Sequence, residues 1–166
     1  MEVKIIRSRR RKRTIGARLI KDELLVSAPL TISQTHLDKI IADFKIKFAR
    51  KKLKEELGRK QNLIDIAGKL NEEYFQNKLK INSIEYVTDQ NSKFGCCNYS
   101  RAQIRISHRI GLMPEWVRDY VIIHEMAHLI EPNHSSAFWD IVRRYKLAER
   151  ARGYLMAAGL EGEEKE

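Results

Sequence analysis

The chain has 166 residues, 43% hydrophobic and 33% charged, which suits a compact soluble domain with at most a small appendage and excludes a disordered or fibrous chain. Lys and Arg number 32 against 22 Asp and Glu, a formal net of +10, and that balance points to a polyanionic partner or an acidic surface. The longest apolar run (120–130) is broken by His124, Glu125 and His128, no apolar stretch follows the basic N-terminus, and the two cysteines are adjacent, so the expectation is no membrane span, no secretory leader, no disulfide framework and a cytoplasmic location.

In chain order, residues 3–6 read as a short strand. Six of the seven residues from Arg7 to Arg13 are then basic: Arg7, Arg9, Arg10, Arg11, Lys12 and Arg13. Residues 14–20 and 23–28 are rich in β-formers and flank Lys21-Asp22, which reads as a hairpin turn. Pro29 closes this small sheet. Ser33 is a candidate N-cap for a helix over 34–57, with Leu37, Ile40, Ile41, Phe44 and Phe48 at helical spacing and Gly58 expected to end it. The opposite face carries Lys45, Lys47, Arg50, Lys51, Lys52 and Lys54. A second helix is expected over 62–77. Three short strands follow at 81–87, 94–98 and 103–107, with a turn at 98–102. Pro114 and Glu115 suit the start of a third helix running to about Ile130. Pro132-Asn133 breaks it, Ser135 caps a helix to about Tyr145, and more helix reaches Ala158. Gly159 and the acidic residues 161–166 read as a frayed end. Sheet, helices, sheet, helices is an α+β order.

The charge divides along this order. Residues 1–60 hold 18 Lys/Arg and 7 Asp/Glu, whereas residues 61–166 hold 14 and 15. Two parts are expected: a basic N-terminal β-hairpin and helix (1–60), and a near-neutral remainder (61–166) that holds the chemistry.

That chemistry starts at His124-Glu125-Met126-Ala127-His128. Residues four apart on a helix lie about 40° apart around its axis, so both imidazoles leave one face and can grip one ion. Imidazole suits zinc. Glu125 points elsewhere, but its longer side chain can reach a metal-bound water and act as general base. Two ligands leave a catalytic zinc one short. After the break at Pro132-Asn133, the chain can turn His134 back over the same ion, completing three imidazoles and leaving the fourth position open.

These residues carry a family resemblance. Asp119-Tyr-Val-Ile-Ile-His-Glu-Met-Ala-His-Leu129, followed by Asn133-His-Ser-Ser-Ala-Phe-Trp139, resembles the YgjP-like metallopeptidase domain. Over a shorter span it is similar to the SprT-like and WLM proteases. Upstream, Phe94-Gly95-Cys96-Cys97 stands where the family usually has Trp-Gly-Ser-Cys, so Phe94 and Cys96 depart from the pattern. The Arg-rich stretch, the hairpin and the Ala28-Pro29 step also resemble the family. The resemblance implies His124, His128 and His134 as Zn2+ ligands and Glu125 as the catalytic acid/base. It also implies a zincin-like core, a small antiparallel sheet packed on helices. A strand edge there, assigned to 103–107, would hold an extended protein or peptide substrate.

Other residues have plainer readings. Cys96 and Cys97 read as small packing residues rather than an inhibitory thiolate, and His108 as structural. Phe138 and Trp139 are expected to pin their helix against the metal helix. Spacing selects none of Arg143, Tyr145 and Tyr154 as an oxyanion partner. The leading expectation is a zinc metallopeptidase. The alternatives are a metal-dependent hydrolase of nucleotides or phosphoesters, a nucleic-acid-binding module with a structural zinc, and a DNA-tethered protease. All three would use the N-terminal basic residues to hold phosphates; the run 7–13 reads equally as a solvated charged face, or as a surface that recruits acidic substrates.

Overall fold

The computed structural model describes residues 2–90 and 92–158. The expected frayed end at 159–166 lies outside the described residues. The chain divides into two compact units, Met1–Lys52 and Leu53–Glu166.

In the first unit three strands, β1 (Glu2–Ser8), β2 (Gly16–Ile20) and β3 (Glu23–Pro29), form one sheet in the order β1-β3-β2. β2 and β3 are the expected antiparallel hairpin, with Ile20 opposite Glu23. Lys21 and Asp22 join them at φ 48° and 66°, the left-handed pair that a two-residue turn requires between right-twisted strands. β1 lies parallel to β3, so the hairpin is part of a mixed three-stranded sheet. Every second residue of β3 faces inward. Leu24, Val26 and Ala28 are fully buried with Leu37 and Ile41 of α1 (Gln34–Lys60), and Phe44 and Phe48 pack alongside. The Ser33 hydroxyl accepts from the His36 amide at 3.4 Å, which starts the helix as expected.

α1 does not stop at Gly58. It runs to Lys60, because Leu57 is buried and Gly58 is exposed at a helical φ, where glycine costs only about 1 kcal/mol.

The second unit holds α2 (Leu63–Phe75), β4 (Ser83–Val87), β5 (Gly95–Asn98), β6 (Gln103–Ser107), α3 (Glu115–Ala127), α4 (Ser136–Val142) and α5 (Ala148–Ala157). A single turn of 3₁₀ helix at Ile110–Leu112 precedes α3. The Asn62 side chain caps α2 by accepting from the Ile64 amide at 3.1 Å. The sheet order is β4-β6-β5. β5 and β6 are antiparallel as expected, but β4 is parallel to β6, so this sheet too is mixed rather than wholly antiparallel. The inward residues Ile84, Tyr86, Ile104 and Ile106 are buried. α2 packs on β4, and α3 packs on β5, β6, α2, α4 and α5. α3 is thus the hub of the core: Val117, Val121, Ile122, Ile123, Met126 and Ala127 are all buried. No helix among the described residues is long and apolar enough to cross a membrane.

Candidate metal centre

α3 carries the first two histidines of the motif. Its regular turns end at Ala127, three residues before the expected end. His128 still has helical angles, φ −65° and ψ −15°, so it keeps the one-face relation to His124. Beyond it the chain tightens. The amides of Leu129 and Ile130 donate to the carbonyls three residues back, Met126 and Ala127, at 3.0 Å each. This contracted turn swings the chain round through Pro132 and Asn133. Ser135 then caps α4 by accepting from the Phe138 amide at 3.3 Å. His134 sits in the short bend between.

The result is a cluster. One ring nitrogen from each of His124, His128 and His134 lies within 4.8 Å of the others, and among the described residues this is the one group of three or more His, Cys, Asp or Glu side chains so gathered. Nε2 of His124 and Nε2 of His134 are 3.1 Å apart. Two nitrogens bound about 2.05 Å from one tetrahedral zinc would stand about 3.3 Å apart, so the spacing fits such an ion. Nδ1 of His128 lies 3.1 Å from the Glu131 carbonyl. A carbonyl only accepts, so Nδ1 carries the proton and Nε2 is left as the free ligand atom.

Two of the imidazoles, His124 and His128, are held neutral. Burial pushes His124 down to about 3, helped by the neighbouring His128 and His134 and by Arg152. Burial also lowers His128, against the pull of the Glu131 carbonyl. A neutral imidazole is the ligand form, so protons compete weakly at these two positions.

Phe138 makes the floor. It is fully buried, stacks on His128 at 4.5 Å between centroids, and meets His124 and His134 edge-on at 4.9 and 4.7 Å. Trp139 stacks on His134 at 5.6 Å. Through His124 both residues pin α4 against α3, as their position after the third histidine led one to expect.

Glu125 is buried at 6% exposure, beside the imidazoles on α3. Its side chain lies against the backbone of Gly95, the first residue of β5. A Cβ built on Gly95 would stand 2.6 Å from Oε1 and 2.8 Å from Cγ of Glu125. Only glycine leaves that space.

The sheet corrects one expectation. β6 (103–107) cannot offer a free edge, because it is the central strand and pairs with β4 and β5 on its two sides. β5 is the edge strand next to Glu125. Cys97 on β5 has its thiol pushed up to about 12 by burial, then by Glu125 and Cys96. It therefore stays a protonated packing group, and Cys96 accepts from the Gln90 amide at 3.1 Å. Phe94 packs against the core. His108 places Nδ1 3.3 Å from the Val87 carbonyl, a structural bond.

Among the candidates that spacing could not separate, Tyr145 is buried and its hydroxyl donates to the Trp116 carbonyl at 3.0 Å. Arg143 is exposed, beside Asp140 at 3.5 Å. The residue missed is Arg152. It reaches across from α5, places its guanidinium 5.2 Å above the Trp139 ring, and bears electrostatically on His124. No spacing from the motif could have found it.

The basic run is in the first unit. Arg9, Arg10, Arg11, Lys12 and Arg13 occupy an exposed loop between β1 and β2. Arg7, on β1, is engaged within the unit, donating to the carbonyls of Leu30 and Ile32 at 3.3 Å each and to the Gln34 side chain at 2.8 Å.

A mixed sheet thus backs a helix that presents two histidines and a glutamate, and a tight turn returns a third histidine to them. The chain belongs to the YgjP-like family, metallopeptidase domain, which matches residues 4–147. Comparison with curated proteins gives no match. Among solved structures, the chain is similar to the metallopeptidase zymogen abylysin of Pyrococcus abyssi, at 19% identity and a TM-score of 0.48, over 57% of this chain and 91% of that one.

Proposed function

We propose that the chain is a zinc-dependent peptidase in which His124, His128 and His134 hold the ion and Glu125 moves the proton. The observation that carries this reading is the convergence of three imidazoles within 4.8 Å, with a buried carboxylate on the same helix. Three imidazoles with an open fourth position are a zinc donor set, and zinc held there supplies a Lewis acid that polarises a carbonyl and lowers the pKa of water to about 7.

The chain's own residues do the rest. Glu125 accepts the proton of the attacking water and returns it to the departing amine. Gly95 gives its carboxylate room. The free edge of β5 receives an extended peptide by backbone hydrogen bonds, which select for main chain rather than sequence. Phe138 and Trp139 keep the imidazoles in register.

The test pairs metal analysis with hydrolysis of an unfolded protein and of nucleoside triphosphates, for wild type and Glu125→Gln. Expected are one zinc per chain in both proteins, cleavage of the protein substrate by wild type, and at least about a 100-fold loss in the variant. Activity confined to the nucleotides, or a fully active variant, refutes the reading.

A further inference from the structure

We propose that the loop at residues 9–13 docks the chain on the phosphate backbone of duplex nucleic acid. The structural boundary sharpens the charge. Residues 1–52 hold 15 Lys/Arg and 5 Asp/Glu, whereas residues 53–166 hold 17 of each, so the first unit owns the whole +10. Half of that excess is packed into five consecutive residues, Arg9, Arg10, Arg11, Lys12 and Arg13, all exposed and none in an ion pair among the described residues. Two of the unit's five acids are engaged elsewhere: Asp22 pairs with Lys52 at 2.9 Å and Asp38 accepts from Gln34 at 2.8 Å.

The loop is also anchored. Arg7 ties the end of β1 to the segment entering α1 through three hydrogen bonds. The Ser8 hydroxyl accepts from the Arg10 amide at 3.3 Å, and Arg11 donates to the Thr14 hydroxyl at 3.4 Å. Five cations on a tethered turn repel one another, a cost that a polyanion removes and that a solvated face would leave standing. Lys39, Lys45, Lys47 and Arg50 continue the exposed positive charge along α1.

The class of polyanion follows from what the unit lacks. Its aromatic residues are Phe44 and Phe48, and both pack against its core. The loop itself carries no ring for the base stacking that single-strand binders rely on. The loop has no apolar side chain to enter a bilayer. Phosphate contacts alone remain, and these favour a duplex, independent of sequence and strongly dependent on salt.

The test is anisotropy of the full chain with a labelled duplex of about 20 base pairs, from about 50 to about 300 mM NaCl. Replacing Arg9, Arg10, Arg11, Lys12 and Arg13 together by Gln is expected to make the log–log salt slope shallower by about four. The same five positions as Lys should keep the slope. Arg7→Gln should keep it too, while lowering the melting temperature. The metal-stripped protein and Glu125→Gln should bind as wild type does, which separates this proposal from the peptidase reading. An unchanged slope in the Gln variant, no duplex binding at the lowest salt, or binding seen only with phosphatidylserine vesicles overturns it.

Discussion

Gly95 is where one absent carbon decides the position of another residue. Gly95→Ala would put a methyl 2.6 Å from the Glu125 carboxylate and 2.8 Å from its Cγ, so the side chain has to leave its place. Because a side chain yields more cheaply than backbone, the stability cost should be about 1–3 kcal/mol while peptidase activity falls far more, with zinc content unchanged. Melting curves beside steady-state rates check this. A variant as active as wild type would mean that Glu125 works from elsewhere. Phe138→Leu should leave the fold intact but weaken zinc retention, since the ring touches all three imidazoles; competition with a chelator reads that directly. The buried histidines set a pH dependence as well. His124 in the folded chain sits at about 3, below its value in the unfolded chain, so the unfolded state binds more protons as pH falls. The metal-free protein should therefore lose stability from pH 6.5 downward, seen as a falling urea midpoint, and His124→Gln should reduce that loss. At this scale the sequence was readable wherever helix geometry alone fixed the relation, as for His124, Glu125 and His128. Gly95 and Arg152 were not, because a strand and a distant helix bring them in through tertiary packing.

The elements repeat that division. Ser33 and Ser135 were recognisable as caps because a cap is a local hydrogen bond. The end of α1 was misjudged at Gly58, where burial of Leu57 outweighs one glycine. That supplies a prediction: Gly58→Ala, at an exposed helical position with nothing within 4 Å of the new methyl, should stabilise the chain by about 0.5–1 kcal/mol in denaturant titration. Destabilisation would mean that the helix does stop there. The three strands of the second unit were legible from β-rich runs, but their order was not. Read from sequence, 103–107 is an edge, and non-local pairing makes the order β4-β6-β5. That order moves the free edge from β6 to β5 and sets it next to Glu125.

Over the whole molecule, charge and core are shared unequally. The first unit has a small core of Leu24, Val26, Ala28, Leu37 and Ile41 and all of the net charge, whereas the second has a large core and none. Salt should therefore slow hydrogen exchange in β1–β3 by screening self-repulsion, and leave α3 and β6 unchanged. Equal responses in the two units would contradict the division. One further consequence comes from the tight turn after His128. The three histidines fall within eleven consecutive residues, 124–134, and the ring that packs against them follows at Phe138. Drawing His134 onto the α3 pair closes a very short stretch of chain, and closure entropy grows only as the logarithm of length, about 0.6 kcal/mol per doubling. An ion gripped this way hardly restricts the unfolded polypeptide. It resembles a clasp on a single fold of ribbon more than a rivet through the assembled object, able to seize early in refolding while the strands are still finding their order.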